Sequence, residues 1–375
     1  MNKLSNIVEG SYILTKDGYK LIEDTIGNHI IWNGYNWKEV VISKNNPNIK
    51  ENNNKTTNCY KTVTLEGNTW KDEIVYRNNT NESKEKNNTQ YVYYKIVISD
   101  GCEVICHYDQ KLYIVENMSS NIYKTKPINE IKENTLIYKY SFPLLDGNND
   151  EDILFPYYTG YLAGNIYNVN NKAESALLTE DEIIKLFDKT NDVSEGENFK
   201  VLDKIIKTLL EIDPKNIVVP INASKDNKLL WISGLIEQNA CIINIKDGIY
   251  LNITVLSKEF AMKVKYLFNT LGTNPKIIEN TEIRKVAYLN INRIEKKEEN
   301  NTIRYKLLFN AEDTNKIFLD YDIKTYFFKY DKSQYSLDQD INRYLSITKK
   351  YKIEDKKKTF NIKNTYSCII NGTLI

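Results

Sequence analysis

The sequence predicts an α+β protein in which both ends of the chain form an all-β domain and a two-repeat α/β domain is inserted between them. Three observations carry this. Apolar and polar residues alternate with period two, between turn signals, through the first 145 or so residues. Apolar residues then recur at i, i+3, i+4 and i+7, the spacing of one helix face. Within that helical zone the segments YYTGYLAGNIY and LLWISGLIEQN stand about 70 residues apart and lead into similar patterns, which suggests an internal duplication. The expected domains are 1–145 with 300–375, and 146–299.

The elements follow in order. GSYILTKDGYKLIEDTIGNHIIWNGYNWKEV reads as short strands separated by Lys16-Asp17-Gly18, Gly27-Asn28 and Asn33-Gly34. Asn-rich segments at 44–57 and 78–89 interrupt the alternation and read as surface loops. Strand character returns in YVYYKIVISDGCEVICHYDQKLYIVE, where Asp100-Gly101 marks a hairpin turn. Helices are expected over EDEIIKLFDKT, FKVLDKIIKTLLEID and SKEFAMKVKYLFNTLGTNP, the last stopping at Gly272 and Pro275. ACIINIKDGIYLNITV is strand-like. TIRYKLLF, KTYFFKY and KTFNIKNTYSCIINGTLI bring the β pattern back at the end.

Composition narrows the class. The chain has 375 residues, 27% charged and 41% hydrophobic, enough for two packed cores. No apolar run reaches membrane-spanning length and the N-terminus lacks a signal-peptide layout, so a cytoplasmic or nuclear setting is expected. Five cysteines without zinc-finger spacing read as free thiols. Net charge is +1, yet from Ile283 onward there are 19 Lys and Arg against 12 Asp and Glu, so the C-terminal part is the basic one. A solvated Lys-rich surface is the ordinary explanation, and attraction to a polyanion is the sharper one.

The order of the motifs resembles that of an intein of the ribonucleotide-reductase type, a Hint-type splicing domain carrying a LAGLIDADG homing endonuclease. ILTKDGYKLIED with IWNGYNWKEV resembles the first splicing block, VISDGCEVICHYDQKLYIV the second, INEIKENTLIYKYSFPLLDG the lead into the endonuclease, and NTYSCIINGTLI the C-terminal block. The resemblance implies a Cys or Ser at the start of the first block, to attack the upstream carbonyl. The matching positions hold Asn6 or Ile7. It implies a Thr and a His in the second block, where this chain has His107 and Gln110, and a glutamine exchanges no proton near neutral pH. His107 reads best as a half-buried strand histidine making one hydrogen bond. The other histidine, His29, has no sequence reason to be catalytic. Asn371 reads as part of an Asn-Gly turn.

For the inserted domain the resemblance implies two helices packed through small residues, each ending in an acid that holds a divalent ion. The packing positions are Leu162, Ala163 and Gly164 in one copy and Ile232, Ser233 and Gly234 in the other, and the acid positions are Val169 and Asn239. Neither is an acid. Glu237, two residues before Asn239, reads as solvated or capping rather than as a metal ligand. The pair is expected to begin near Tyr157 and Leu229 and to cross where Gly164 meets Ser233 and Gly234.

The expected function is therefore that of an inactive protein descended from an intein and homing endonuclease, free-standing, without splicing or cleavage. It is expected to keep duplex DNA binding, with candidate contacts at Lys246, Asn252, Lys349, Lys350, Lys352, Lys356, Lys357 and Lys358. No cofactor is expected, Mg2+ entering only if nuclease activity survives. The competing expectations are a structural or assembly role, in a virion or other complex, through protein partners, and a residual metal-dependent endonuclease. No membrane or small-molecule partner is indicated.

Overall fold

The computed structural model describes residues 3–45, 59–66, 69–76, 92–117, 122–138, 140–168, 180–190, 195–211, 217–245, 248–286, 289–290, 293–294, 298–323, 325, 328, 344–355, 357–363, 365 and 367–375. In chain order the first strands are β1 (Lys3–Val8), β2 (Tyr12–Thr15), β3 (Gly18–Leu21), β4 (Gly27–Trp32), β5 (Trp37–Lys44), β6 (Cys59–Glu66) and β7 (Thr69–Tyr76). β8 (Val92–Ile98), β9 (Glu103–His107), β10 (Lys111–Asn117), β11 (Ile122–Pro127) and β12 (Leu136–Tyr138) follow. Then come α1 (Pro156–Asn168), α2 (Glu180–Thr190), α3 (Glu195–Glu211), α4 (Lys225–Asn239), β13 (Ala240–Ile245), β14 (Gly248–Val255) and α5 (Lys258–Thr270). β15 (Lys276–Val286), β16 (Leu289–Asn290), β17 (Arg293–Ile294), β18 (Glu298–Phe309) and α6 (Ala311–Asn315) precede β19 (Tyr344–Glu354), β20 (Thr359–Lys363), β21 (Ile369–Ile370) and β22 (Thr373–Leu374). The protein is mixed α+β and rich in sheet.

The chain divides into two compact units, Met1–Ser141 with Ile341–Ile375, and Phe142–Asp340. In the first unit the two ends of the chain share both large sheets. An eight-stranded sheet runs β1-β20-β5-β4-β2-β21-β22 with β3 on β2, and a six-stranded sheet runs β11-β10-β12-β19-β8-β9. Alternation places Ile13, Ile31, Val40, Ile42, Ile96, Val104 and Ile362 in the core at 2% exposure or less. The expected Asn-Gly turn joins β21 to β22: Asn371 has φ 48° and Gly372 φ 74°, and the Asn371 side-chain oxygen accepts from the Tyr12 N–H at 2.7 Å.

In the second unit a four-stranded antiparallel sheet, ordered β13-β14-β18-β15, lays one face against the helices. Leu251, Ile253 and Val255 of β14 and Leu307 and Phe309 of β18 meet Trp231, Ile232, Leu235 and Ile236 of α4 and Phe268 of α5 in one core. Serine caps start both helices: the Ser224 hydroxyl accepts from the Asn227 N–H and the Ser257 hydroxyl from the Phe260 N–H, each at 3.3 Å.

Two expectations are corrected. The return to the first unit lies near residue 341 rather than 300, because β18, which contains TIRYKLLF, pairs with β14 and β15 along the second unit's sheet. In KTYFFKY, the two described residues, Thr325 and Phe328, lie outside any strand. The Asn-rich segments fall almost wholly outside the described residues.

Candidate functional site

The pairing of α1 with α4 is a tightly constrained contact of the second unit. A Cβ built on Gly160 would lie 1.9 Å from the Trp231 carbonyl oxygen, and one built on Gly234 would lie 1.9 Å from that of Tyr157. No real Cβ tolerates such distances, so the helices touch backbone to backbone and only glycine fits. Each glycine meets the carbonyl three residues before the other, so the contact is reciprocal and its two halves are related by approximate two-fold symmetry.

This geometry corrects the expected crossing. The second helix contributes Gly234 as anticipated, but its counterpart is Gly160, one turn before Gly164. Gly164 faces Gln238, whose Cβ lies 2.9 Å from the position a Cβ would take. Leu162, Ala163, Ile232 and Ser233 are buried at 3% exposure or less and fill the core beside the crossing. Under the reciprocal register, Asn239, five residues after Gly234, corresponds to Asn165, five after Gly160, and not to Val169, which lies outside the described residues. The missed signal was in the sequence: Thr159-Gly160 with Asn165 and Ser233-Gly234 with Asn239 share one spacing, whereas the apparent LAG match of the first copy is a turn out of step.

The polar groups at the end of α4 are set for packing. Asn239 is 8% exposed and its amide Nδ2 has no partner. The Glu237 carboxylate accepts the Phe328 N–H at 2.8 Å, and Phe328 in turn stacks on Phe318 with ring centroids 5.7 Å apart. Glu237 therefore clamps a chain segment to α4. Among the described residues, no three or more His, Cys, Asp or Glu side chains are grouped to hold a metal ion.

At the other end of α4, Lys228 is fully buried, its ammonium donating to the Leu145 carbonyl at 3.2 Å. Burial lowers its pKa from 10.5 to about 8 against the opposing pull of Asp146, Glu151 and Asp152. Asp152 also accepts from the Ser224 N–H at 2.7 Å and the Ser224 hydroxyl at 2.8 Å, fastening the chain before α1 to the start of α4.

In the first unit, folding brings together two positions 101 residues apart: the Asn6 amide Nδ2 lies 3.3 Å from His107 Nδ1. His107, at 7% exposure, also hydrogen-bonds the Asp109 carboxylate, and its ring packs edge-on to Tyr93. It thus has two polar neighbours rather than the single one expected. Asn6 is held with φ 63°, its side-chain oxygen accepting from Asn45 at 2.8 Å, while Asn45 also donates to the Thr359 hydroxyl at 3.1 Å. Ile7 is buried opposite Phe360, and the Gln110 amide donates to the Lys111 carbonyl at 3.3 Å. The cluster offers amides and an imidazole, and neither Asn6 nor Ile7 carries a nucleophilic atom.

The basic candidates are mostly occupied. Lys350 donates to the carbonyls of Asn129 at 3.1 Å and Ile131 at 2.7 Å and lies over the Tyr94 ring, and burial lowers its pKa. Lys352 pairs with Glu354 at 2.5 Å, Lys357 with Asp355 and Lys358 with Glu9 at 3.3 Å each. Lys349 is exposed on β19. Asn252 is 3% exposed and its amide donates to Cys241 and Thr254, so its side chain is tied within the sheet. Lys246 and Lys356 lie outside the described residues.

Known proteins add one finding. A ribonucleoside-diphosphate reductase large subunit from Invertebrate iridescent virus 6 is 22% identical over 197 residues, which is 49% of this chain and 20% of that protein. The chain thus spans about a fifth of the length of the relative it matches. No protein-family model matches the chain. No helix among the described residues is long and apolar enough to cross a membrane.

Proposed function

We propose that this chain derives from an intein with a LAGLIDADG insert, of the kind that interrupts ribonucleotide reductase large subunits, that it has lost splicing and cleavage, and that it binds duplex DNA through the second unit. The similarity to a viral reductase large subunit supports the ancestry. The reciprocal helix pair and the sharing of sheets by both chain ends are compatible with it.

The observation that carries the binding is the outer face of the four-stranded sheet. Strand pairing sets Asn252 opposite Leu308, Thr254 opposite Lys306, Ile278 opposite Lys306, and Asn280 opposite Arg304, with Lys276 beside Leu308. Lys276, Arg304 and Lys306 therefore share one face, with Arg304 buried at 8% exposure; no carboxylate stands on this part of the face, and further along the same two strands Glu282 and Glu298 fall on the same alternation. A local cluster of cations on a broad sheet suits a phosphate backbone. In the first unit Lys352, Lys357 and Lys358 pair with carboxylates and Lys350 with backbone carbonyls, so the proposal rests on the second unit.

Cys241 provides the test. It is exposed on β13, opposite Asn252 on the same face, whereas Cys102, Cys106 and Cys368 are buried. Alkylation of the chain with N-ethylmaleimide is expected to label Cys241 among these four, and saturating duplex DNA at low salt to slow that labelling. Log affinity should fall with log salt by roughly one unit of slope per phosphate contacted. Lys306→Glu should weaken binding and Lys352→Glu leave it nearly unchanged. Unaltered labelling of Cys241 by DNA that nonetheless binds would move the interface elsewhere. Absence of binding tighter than roughly 10⁻⁴ M at physiological salt would favour a protein-interaction role.

A further inference from the structure

One cleft of the first unit takes no part in the sites above. It encloses about 520 Å³ between the turn joining β2 to β3 and the edge of β4, within the range of cavities that bury small ligands. Its lining includes Lys16, Asn28, His29, Ile30, Glu39 and Val41.

The cleft exists because β2 leaves β4 early. β5 pairs with β4 along Gly27–Trp32, but β2 pairs with it only at Thr15 opposite Ile31 before turning at Lys16-Asp17 to pair with β3. The Lys16 N–H donates to the Ile30 carbonyl at 2.9 Å, and beyond it no strand among the described residues follows. Backbone groups two residues apart point to the same edge of a strand, so the N–H and C=O of Asn28 face the cleft beside the one bond that Lys16 completes. Half-buried Ile30 and Val41 give it an apolar wall.

Its charges are also uncommitted. Asp17 pairs with Lys20 at 2.9 Å. The ammonium of Lys16 and the carboxylate of Glu39 make no hydrogen bond or ion pair with any described residue, and neither does the imidazole of His29. An open backbone donor and acceptor, an apolar wall, and one free charge of each sign are the recognition elements for a strand of peptide. Glu39 disfavours a nucleic acid or polyphosphate in the same place.

We propose that this cleft binds an extended peptide segment, which adds to β4 as a short strand through the Asn28 backbone and sets an acidic side chain on Lys16 and a basic one on Glu39. The full chain would be titrated with capped, fluorescent five-residue peptides that alternate valine with one lysine and one glutamate, in both orders. One order is expected to bind saturably and to slow hydrogen exchange at the Asn28 amide. N-methylation of the peptide's central residue should abolish binding. Lys16→Glu and Glu39→Lys, both at exposed positions, should each weaken it by roughly threefold to fivefold without lowering the melting temperature, as expected of an exposed ion pair. The double reversal should restore affinity for the peptide of opposite order. The proposal is overturned if neither order binds at millimolar concentration, if N-methylation and both reversals leave affinity unchanged, or if free lysine and glutamate compete as well as the peptide does.

Discussion

Lys228 shows how one residue sets a measurable property of the second unit. Its native pKa of about 8 lies below the 10.5 of a free lysine, so the folded state binds the proton less tightly than the unfolded chain does. Between pH 8 and 10.5 the folded protein has given up that proton while the unfolded chain still holds it, so stability rises with pH, while below pH 8 the penalty is constant, on the order of 3 kcal/mol. Lys228→Met should therefore raise the melting temperature at pH 7 and flatten its dependence on pH between 8 and 10.5, measurable by calorimetry. Nothing in the sequence distinguishes Lys228 from other lysines of a helix's first turn, because its burial comes from the segment around Leu145, far away in the chain. The opposite holds for Asn239, whose amide stands in the sequence for anyone to read. If the proposed ancestry holds, Asn165→Asp combined with Asn239→Asp should create an Mn2+ site: millimolar Mn2+ should raise the melting temperature of the double variant and leave that of the natural chain unchanged. An equal response of both proteins would count against the assignment.

At the level of elements, the reciprocal glycine contact makes a graded set of expectations. Gly160→Ala and Gly234→Ala each drive a methyl group into a carbonyl oxygen 1.9 Å away and should cost about 3 kcal/mol or more, since backbone on both sides has to move. Gly164→Ala meets the Gln238 side chain at 2.9 Å and should cost less, about 1 to 2 kcal/mol. Denaturant titration would separate them. The Gly160→Ala, Gly234→Ala double variant should lose less than the sum, because the first substitution already separates the helices that the second would separate. The likeness of YYTGYLAGNIY to LLWISGLIEQN pointed to two related elements, and the resemblance put helices near Tyr157 and Leu229, where α1 begins at Pro156 and α4 at Lys225. The strand character of β13 and β14 and the Asn-Gly turn at Asn371 were legible as well. The register of the two helices was not, because Gly160 and Gly164 are equally small and only the partner's carbonyls decide between them. The pairing of the basic candidates is read in part from the sequence, since Glu354 and Asp355 stand two residues from Lys352 and Lys357, whereas Glu9 reaches Lys358 only in the fold.

For the whole molecule, the order of strand, helix and strand patterns told of two units but not where the chain changes from one to the other. TIRYKLLF carries the same period-two alternation whichever sheet it joins, and β14 and β15 claim it by pairing on either side. If cleavage has been lost at this scale, supercoiled DNA incubated with the chain and Mg2+ or Mn2+ should remain supercoiled over hours. Cutting abolished by Glu237→Gln would instead establish a one-acid nuclease, although Glu237 is spent on the Phe328 amide. The helix pair also bears on how such a protein could change with time. An acid at the end of either helix can vanish in a single substitution without disturbing any contact that folds the unit, whereas neither glycine can be replaced while the other helix keeps its place. If the proposed ancestry holds, decay in this architecture runs in one direction, with chemistry eroding first and the crossing last, and the surviving crossing is a record of what folding requires.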